Sequence, residues 1–162
     1  MTMRMAVALT TLLRLRLLLD GALLTLALAP PAASQSVTDG DTLKLNGTTY
    51  RLWGIDAPES KQICADGWPA GQEATKALSD LIRGHTVACE ARTQDRYGRT
   101  VALCRADGRD IGAAMVGAGM AWAFVRYSSD YVAQEAEAKT ASLGVHVHGC
   151  QPAWEWRADR RQ

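Results

Sequence analysis

The sequence has almost no surplus of either charge. Eighteen Lys and Arg stand against 17 Asp and Glu over 162 residues, a net charge of +1. That balance excludes a polybasic nucleic-acid tail, which binds through bulk charge. No Cys-x-x-Cys pair occurs among the four cysteines, which argues against a zinc ribbon. No repeat with a period of about 20–50 residues is visible, which excludes a solenoid. Hydrophobic residues at 48% and charged residues at 22% are ordinary globular usage. Disordered and collagen-like chains are thereby excluded.

Long apolar runs are missing too, except at the start. Residues 17–29 are apolar apart from Asp20, Gly21 and Thr25, with Arg4, Arg14 and Arg16 ahead of them. Pro30, Pro31 and the small residues Ala32, Ala33 and Ser34 follow. A positive start, an apolar middle and a small-residue end predict a secretory signal peptide, residues 1–34, cleaved after Ser34. The run is too short and too charged to span a membrane comfortably, which takes ~20 apolar residues. Removing it leaves 128 residues with 15 basic and 16 acidic groups. So balanced a chain must meet a polyanion through a local site. A secreted or periplasmic monomer is expected, with one domain over residues 35–150 and a tail over 151–162 that has no clear period.

In that setting cysteines pair, and four allow three pairings. Cys89 and Cys104 flank the Arg96-Tyr97 midpoint of an expected hairpin and would face each other across it. That leaves Cys64 for Cys150. The alternating His146, His148 and Cys150 also suit a metal-ligand strand, without an evident fourth ligand.

The stretch from Val37 to Ile55 reads as strands, with Asn46-Gly47 as a two-residue hairpin turn. Ala74, Ala77, Leu78, Leu81 and Ile82 recur at helical spacing, and Gly84 sits where a C-terminal cap belongs. Residues 86–92 and 100–105 read as two more strands. Asp110 is placed to cap a short helix, and Ser128 to Asp130 to cap a last one over 131–143. Antiparallel strands with a helix after the third predict an α+β fold. The candidate is a small five-stranded Greek-key barrel of the oligonucleotide/oligosaccharide-binding (OB) type, with about three helices.

Four polar segments carry the chemistry. They are Asp39-Gly40-Asp41-Thr42, Arg51 within a strand, Asp56-Ala57-Pro58-Glu59, and Asp95-Arg96-Tyr97-Gly98-Arg99 at a hairpin tip. Each alone is an ordinary turn or a strand charge. Together they offer what phosphodiester hydrolysis needs. Asp41, Asp56 and the Ala57 carbonyl supply oxygen ligands for a hard cation. Glu59 stands near enough to hold a water, and Arg51 and Arg99 are planar forks for phosphate oxygens.

The stretches 37–42, 50–59 and 95–102, in that order, resemble the thermonuclease, or staphylococcal nuclease-like, family. The similarity runs from about Val37 to Leu143 and is highly specific. It implies an OB-type barrel and a calcium-dependent nuclease acting on DNA and/or RNA with little sequence selectivity, leaving 3′-phosphate ends. By resemblance Asp41, Asp56 and Ala57 are the Ca²⁺ ligands and Arg51, Glu59 and Arg99 the catalytic trio. Asp39 is then a carboxylate behind the metal site, and Tyr127 an aromatic near the nucleotide. His146 replaces the Trp that commonly follows the last helix, with Trp154 and Trp156 available from the tail. The rival reading is an inactive nucleic-acid-binding barrel. Inactive relatives typically lose the acidic residues or arginines, and all are present here.

Overall fold

Alternation of half-buried and exposed residues along Gln35–Asp39, the first strand β1, sets one face of the chain against a core from the outset. The computed structural model describes residues 34–161. The signal peptide expected over residues 1–34 therefore lies outside the described residues, apart from Ser34 itself.

Strands β2 (Thr42–Leu45) and β3 (Thr48–Leu52) form the expected hairpin. Its turn residues Asn46 and Gly47 both take positive φ, +50° and +83°, as a two-residue hairpin turn of the mirror-image type requires. After the short strand β4 (Ile55–Asp56) come helix α1 (Ala70–Ile82), then strands β5 (Val87–Gln94) and β6 (Thr100–Ala106). The two-residue β7 (Arg109–Asp110) leads into α2 (Ile111–Gly117), capped as expected by Asp110, which accepts from the Ala113 N–H. The chain continues through β8 (Trp122–Ala123), α3 (Val132–Thr140), a 3₁₀ turn over Gly144–His146, and α4 (Ala153–Asp159).

The main sheet runs β1-β2-β3-β6-β5, with β7 beside β6. This is the strand arrangement of the expected OB-type barrel. One pairing departs from the antiparallel set expected. β3 and β6 run parallel, with Tyr50 opposite Thr100 and Leu52 opposite Ala102. Between them the chain passes through α1 and β5, and the β5–β6 hairpin then turns it into the direction of β3, which one tight hairpin after β3 cannot do. β4 and β8 form a separate antiparallel pair.

Four α-helices form among the described residues where about three were expected. The extra one, α4, lies in the tail, where no period showed because seven residues give too few turns to read. The His146–Cys150 stretch is a 3₁₀ turn and loop, not a ligand strand. Its Cys150 is bonded to Cys64, so it is no metal ligand. Cys89 pairs with Cys104 at opposed register positions of β5 and β6, as the hairpin symmetry predicts.

Two apolar clusters hold the fold. The larger joins Leu43, Leu52, Leu78, Ile111 and Met115 between sheet and helices. The smaller joins Cys64, Ala70, Trp122, Val145, Cys150 and Ala153, with Trp68 and Trp154 against it. It fastens α4 to the loop after β4. On α1 the buried Ala70, Ala74, Leu78 and Ile82 lie four apart, one stripe of the helix. Small residues let that stripe come close. A Cβ on Gly40 would meet the Ala74 and Ala57 methyls at 2.7 and 2.8 Å, and one on Gly71 would overlap the Glu59 carbonyl oxygen. The first turn of α1 thereby sets the height of the Glu59 backbone. Gly71→Ala should cost about 1–3 kcal/mol through overpacking. The measurement is thermal melting of the variant, and an unchanged melting temperature would show that the Glu59 loop yields freely.

Candidate active site

Asp41 and Thr42 follow the close-packed Gly40 turn, so α1 presses the acidic turn onto the end of β4. Asp41 is buried. Its Oδ2 accepts from the Ala57 N–H at 3.1 Å, and its Oδ1 from the Thr42 hydroxyl at 3.0 Å. Arg51, on β3, projects between the two buried aspartates. Its Nη1 pairs with Asp41 Oδ1, and its Nη2 with Asp56 Oδ1 at 2.7 Å. A strand arginine is ordinarily solvated, but here it is drawn inward by two carboxylates that would otherwise be buried unpaired.

Asp56, on β4, has a side chain with 0% exposure. A second guanidinium closes on it. Arg157 of α4 donates through Nη2 to Asp56 Oδ2 at 2.7 Å, and through Nη1 to Asp56 Oδ1 at 3.2 Å. The same Nη1 donates to Glu59 Oε1 at 2.6 Å. Glu59 is thus joined to Asp56 by one arginine. Arg99 stands apart from this cluster. Its Nε donates to Asp95 Oδ2 at 2.7 Å, and Asp95 Oδ1 accepts from the Tyr97 and Arg99 N–H groups. The hairpin tip is therefore a self-braced mount that holds Arg99 at the cleft.

All six sequence-derived residues except Asp56 line one cleft of about 960 Å³, and Asp56 lies just beneath it. Asp39, Arg96, Arg126, Tyr127, Trp154, Arg157 and Arg161 also line it. Tyr97 and Tyr127 are 72% and 64% exposed there. Of the two tail tryptophans, Trp154 lines the cleft. Trp156 instead lies under the Arg160 guanidinium, 3.7 Å from its ring centre. His148 stacks on Trp68 and meets Asp66 at 2.6 Å, outside the cleft lining. Ala57 enters through its N–H on Asp41.

Sequence reasoning missed Arg157 and Gln62. The signal for α4 was Pro152, a residue suited to a helix start, two and four places ahead of Trp154 and Trp156. Nothing in the local sequence aims Arg157 at Asp56, because that contact spans 101 positions.

The carboxylates strain against each other. Burial, and then the neighbouring Asp41, push the Asp39 carboxyl up to about 6. Burial also works against Asp41, but the Arg51 charge and the Ala57 N–H hold its carboxyl below the ordinary range. Burial lifts Asp56, against the hydrogen bonds from Arg157. Both Arg51 and Arg157 are held in the charged form by their acidic partners despite burial.

A family model described as staphylococcal nuclease homologue matches residues 49–146, more than half of the chain. The chain belongs to this family. It is a nuclease-type hydrolase with a nucleic-acid substrate class. An uncharacterized endonuclease of Haemophilus influenzae is 36% identical over 134 residues, covering 77% of this chain and 71% of its own. An uncharacterized endonuclease of Escherichia coli O157:H7 is 34% identical over 129 residues, covering 75% of this chain and 80% of its own. A staphylococcal-like nuclease, CAN1 of Arabidopsis thaliana, is 33% identical over 114 residues. The match covers 68% of this chain but only 33% of that plant protein. Among the described residues no helix is long and apolar enough to cross a membrane.

The Asp39 carboxyl gives the site a pH signature in cation-free protein. Its affinity for a proton is higher folded than unfolded, so its stabilising contribution is complete below the unfolded value of 3.8 and lost as pH rises through about 6. Asp39→Asn should therefore melt above the parent protein at pH 7 in chelator, the gap closing at pH 4. A gap of equal size at both values would remove this origin.

Proposed function

We propose that this nuclease hydrolyses phosphodiester bonds of DNA and/or RNA in a calcium-dependent reaction of low sequence selectivity. The observation that carries the reading is the Arg51 fork, bound to Asp41 and Asp56 at the floor of a cleft that Glu59 and Arg99 also line. Buried carboxylates, a carboxylate facing the cleft and two separate arginines are a constellation for phosphoryl chemistry.

The donor set fits a hard divalent cation. The ligands on offer are all oxygens, the donor type that a hard cation such as calcium takes. Asp41, Asp56 and the Ala57 carbonyl would hold it. When bound, calcium neutralises phosphate charge and polarises the phosphorus–oxygen bonds.

The chain's own residues do the rest. Glu59 orients the attacking water and accepts its proton. Arg51 and Arg99 grip the phosphate oxygens and stabilise the charge that builds on them. With a guanidinium pKa above ~12, Arg99 acts by its field rather than by giving up a proton. The bond from phosphorus to the 5′ oxygen breaks as the water oxygen bonds, the departing oxygen takes a proton from solvent water, and a 3′-phosphate is left. Tyr97 and Tyr127 offer exposed rings on which bases stack whatever their identity, which supports low sequence selectivity. The two disulfides support action outside the cytoplasm, in the periplasm or medium, after removal of residues 1–34, and the reading takes the protein as a monomer.

The decisive assay is cleavage of single-stranded DNA by the mature chain in millimolar calcium, repeated in chelator and with Glu59→Gln. Cleavage should require calcium. The variant should lose about 10²–10⁴-fold in rate, the usual share of a general base. Calcium-independent cleavage would overturn the metal assignment, and full activity of Glu59→Gln would overturn the role of Glu59. A folded wild-type protein that binds DNA without cutting it would favour the inactive binding barrel.

A further inference from the structure

We propose that Arg157 is a positioning residue of the active site and that the C-terminal helix serves to deliver it. This rests on the roles given above to Glu59 and Asp56. Arg157 lies beyond the stretch matched by the family model, which ends at residue 146. It nonetheless reaches the centre of the cleft, and its side chain is 33% exposed.

One planar guanidinium spans both carboxylates. Nη2 is committed to Asp56 Oδ2, and Nη1 is shared between Asp56 Oδ1 and Glu59 Oε1. The fork fixes the distance and the angle between the two acids, which a point charge cannot do. It takes Glu59 by Oε1 and leaves Oε2 to meet a water. Arg157 spends both terminal nitrogens on Asp56 and Glu59, the two acids it would position.

The surrounding chain is fastened to the same end. Cys64, five residues after Glu59, is bonded to Cys150, just ahead of α4. Between them Gln62, 1% exposed, joins the two segments. Its Oε1 accepts from the Glu59 N–H at 3.2 Å, and its Nε2 donates to the Gln151 carbonyl at 2.6 Å. A covalent bond, a buried amide and a forked ion pair therefore tie the Glu59 loop to the segment that carries Arg157. Groups that orient reacting side chains from behind typically cost 10–100-fold when removed, without touching substrate.

The experiment compares wild type, Arg157→Ala, Arg157→Lys and Arg160→Ala on single-stranded DNA in calcium, with kcat and KM measured separately. Arg160 follows the same helix as its C-cap but stacks on Trp156, outside the cleft. Arg157→Ala should lower kcat by about 10–100-fold with KM nearly unchanged. Arg157→Lys should recover only part of the loss, and Arg160→Ala should match wild type. Amide exchange over residues 57–64 should quicken in Arg157→Ala, while melting shows the barrel still folded. An unchanged kcat, a rise in KM alone, full recovery with Lys, or an equal loss in Arg160→Ala would overturn the proposal while leaving the nuclease reading intact. If wild type itself cuts nothing, the nuclease reading fails, and unchanged exchange in Arg157→Ala would still sink the fastening role.

Discussion

Two carboxylates buried at the junction of a turn and a strand end set the terms for the rest of this molecule. Asp41 and Asp56 lie where water cannot solvate them, and an isolated buried charge is prohibitively costly. The fold answers with Arg51 from one side and Arg157 from the other. Breaking such a pair by removing one partner typically costs about 3–5 kcal/mol, a large part of the stability of a small domain. The arginines are therefore structural before they are chemical. Under the proposed function, stability and activity share the same atoms at Arg51.

The cleft divides its work between a rigid floor and a self-contained wall. The floor is built from Gly40, which admits α1, and from the ends of β3 and β4. The wall is the β5–β6 tip, where one aspartate accepts from two backbone N–H groups and one guanidinium. Arg99 is therefore held by its own hairpin rather than by the floor. Under the proposed function a phosphate seated between the two would be met from both, a contact made with the charged backbone and not with a base.

Much of the barrel was legible because its signals are local. Asn46-Gly47 specified a hairpin, Gly84 and Asp110 marked helix ends, and Cys89 and Cys104 paired through hairpin symmetry. The parallel β3–β6 pairing was not legible, since strand direction depends on where a crossover returns and not on residue pattern. The carboxylates and arginines of the site were legible as motifs, and the structure gathers them in and under one cleft. What the motifs did not reveal is who neutralises whom. Arg51, read as a phosphate fork, is also the counter-ion of two buried aspartates. Arg157 sits in a seven-residue helix too short to declare itself, and its partners are about a hundred positions away.

The parallel pairing also governs how the molecule comes into being. Tyr50 meets Thr100 across fifty intervening steps of chain, and Arg51 meets Val101 beside it. Closing so long a loop loses chain entropy before any contact compensates, which places such topologies among the slower folders of their size. The floor and the Arg99 wall lie on opposite sides of that closure. The cleft between floor and wall exists only in a chain that has made this pairing.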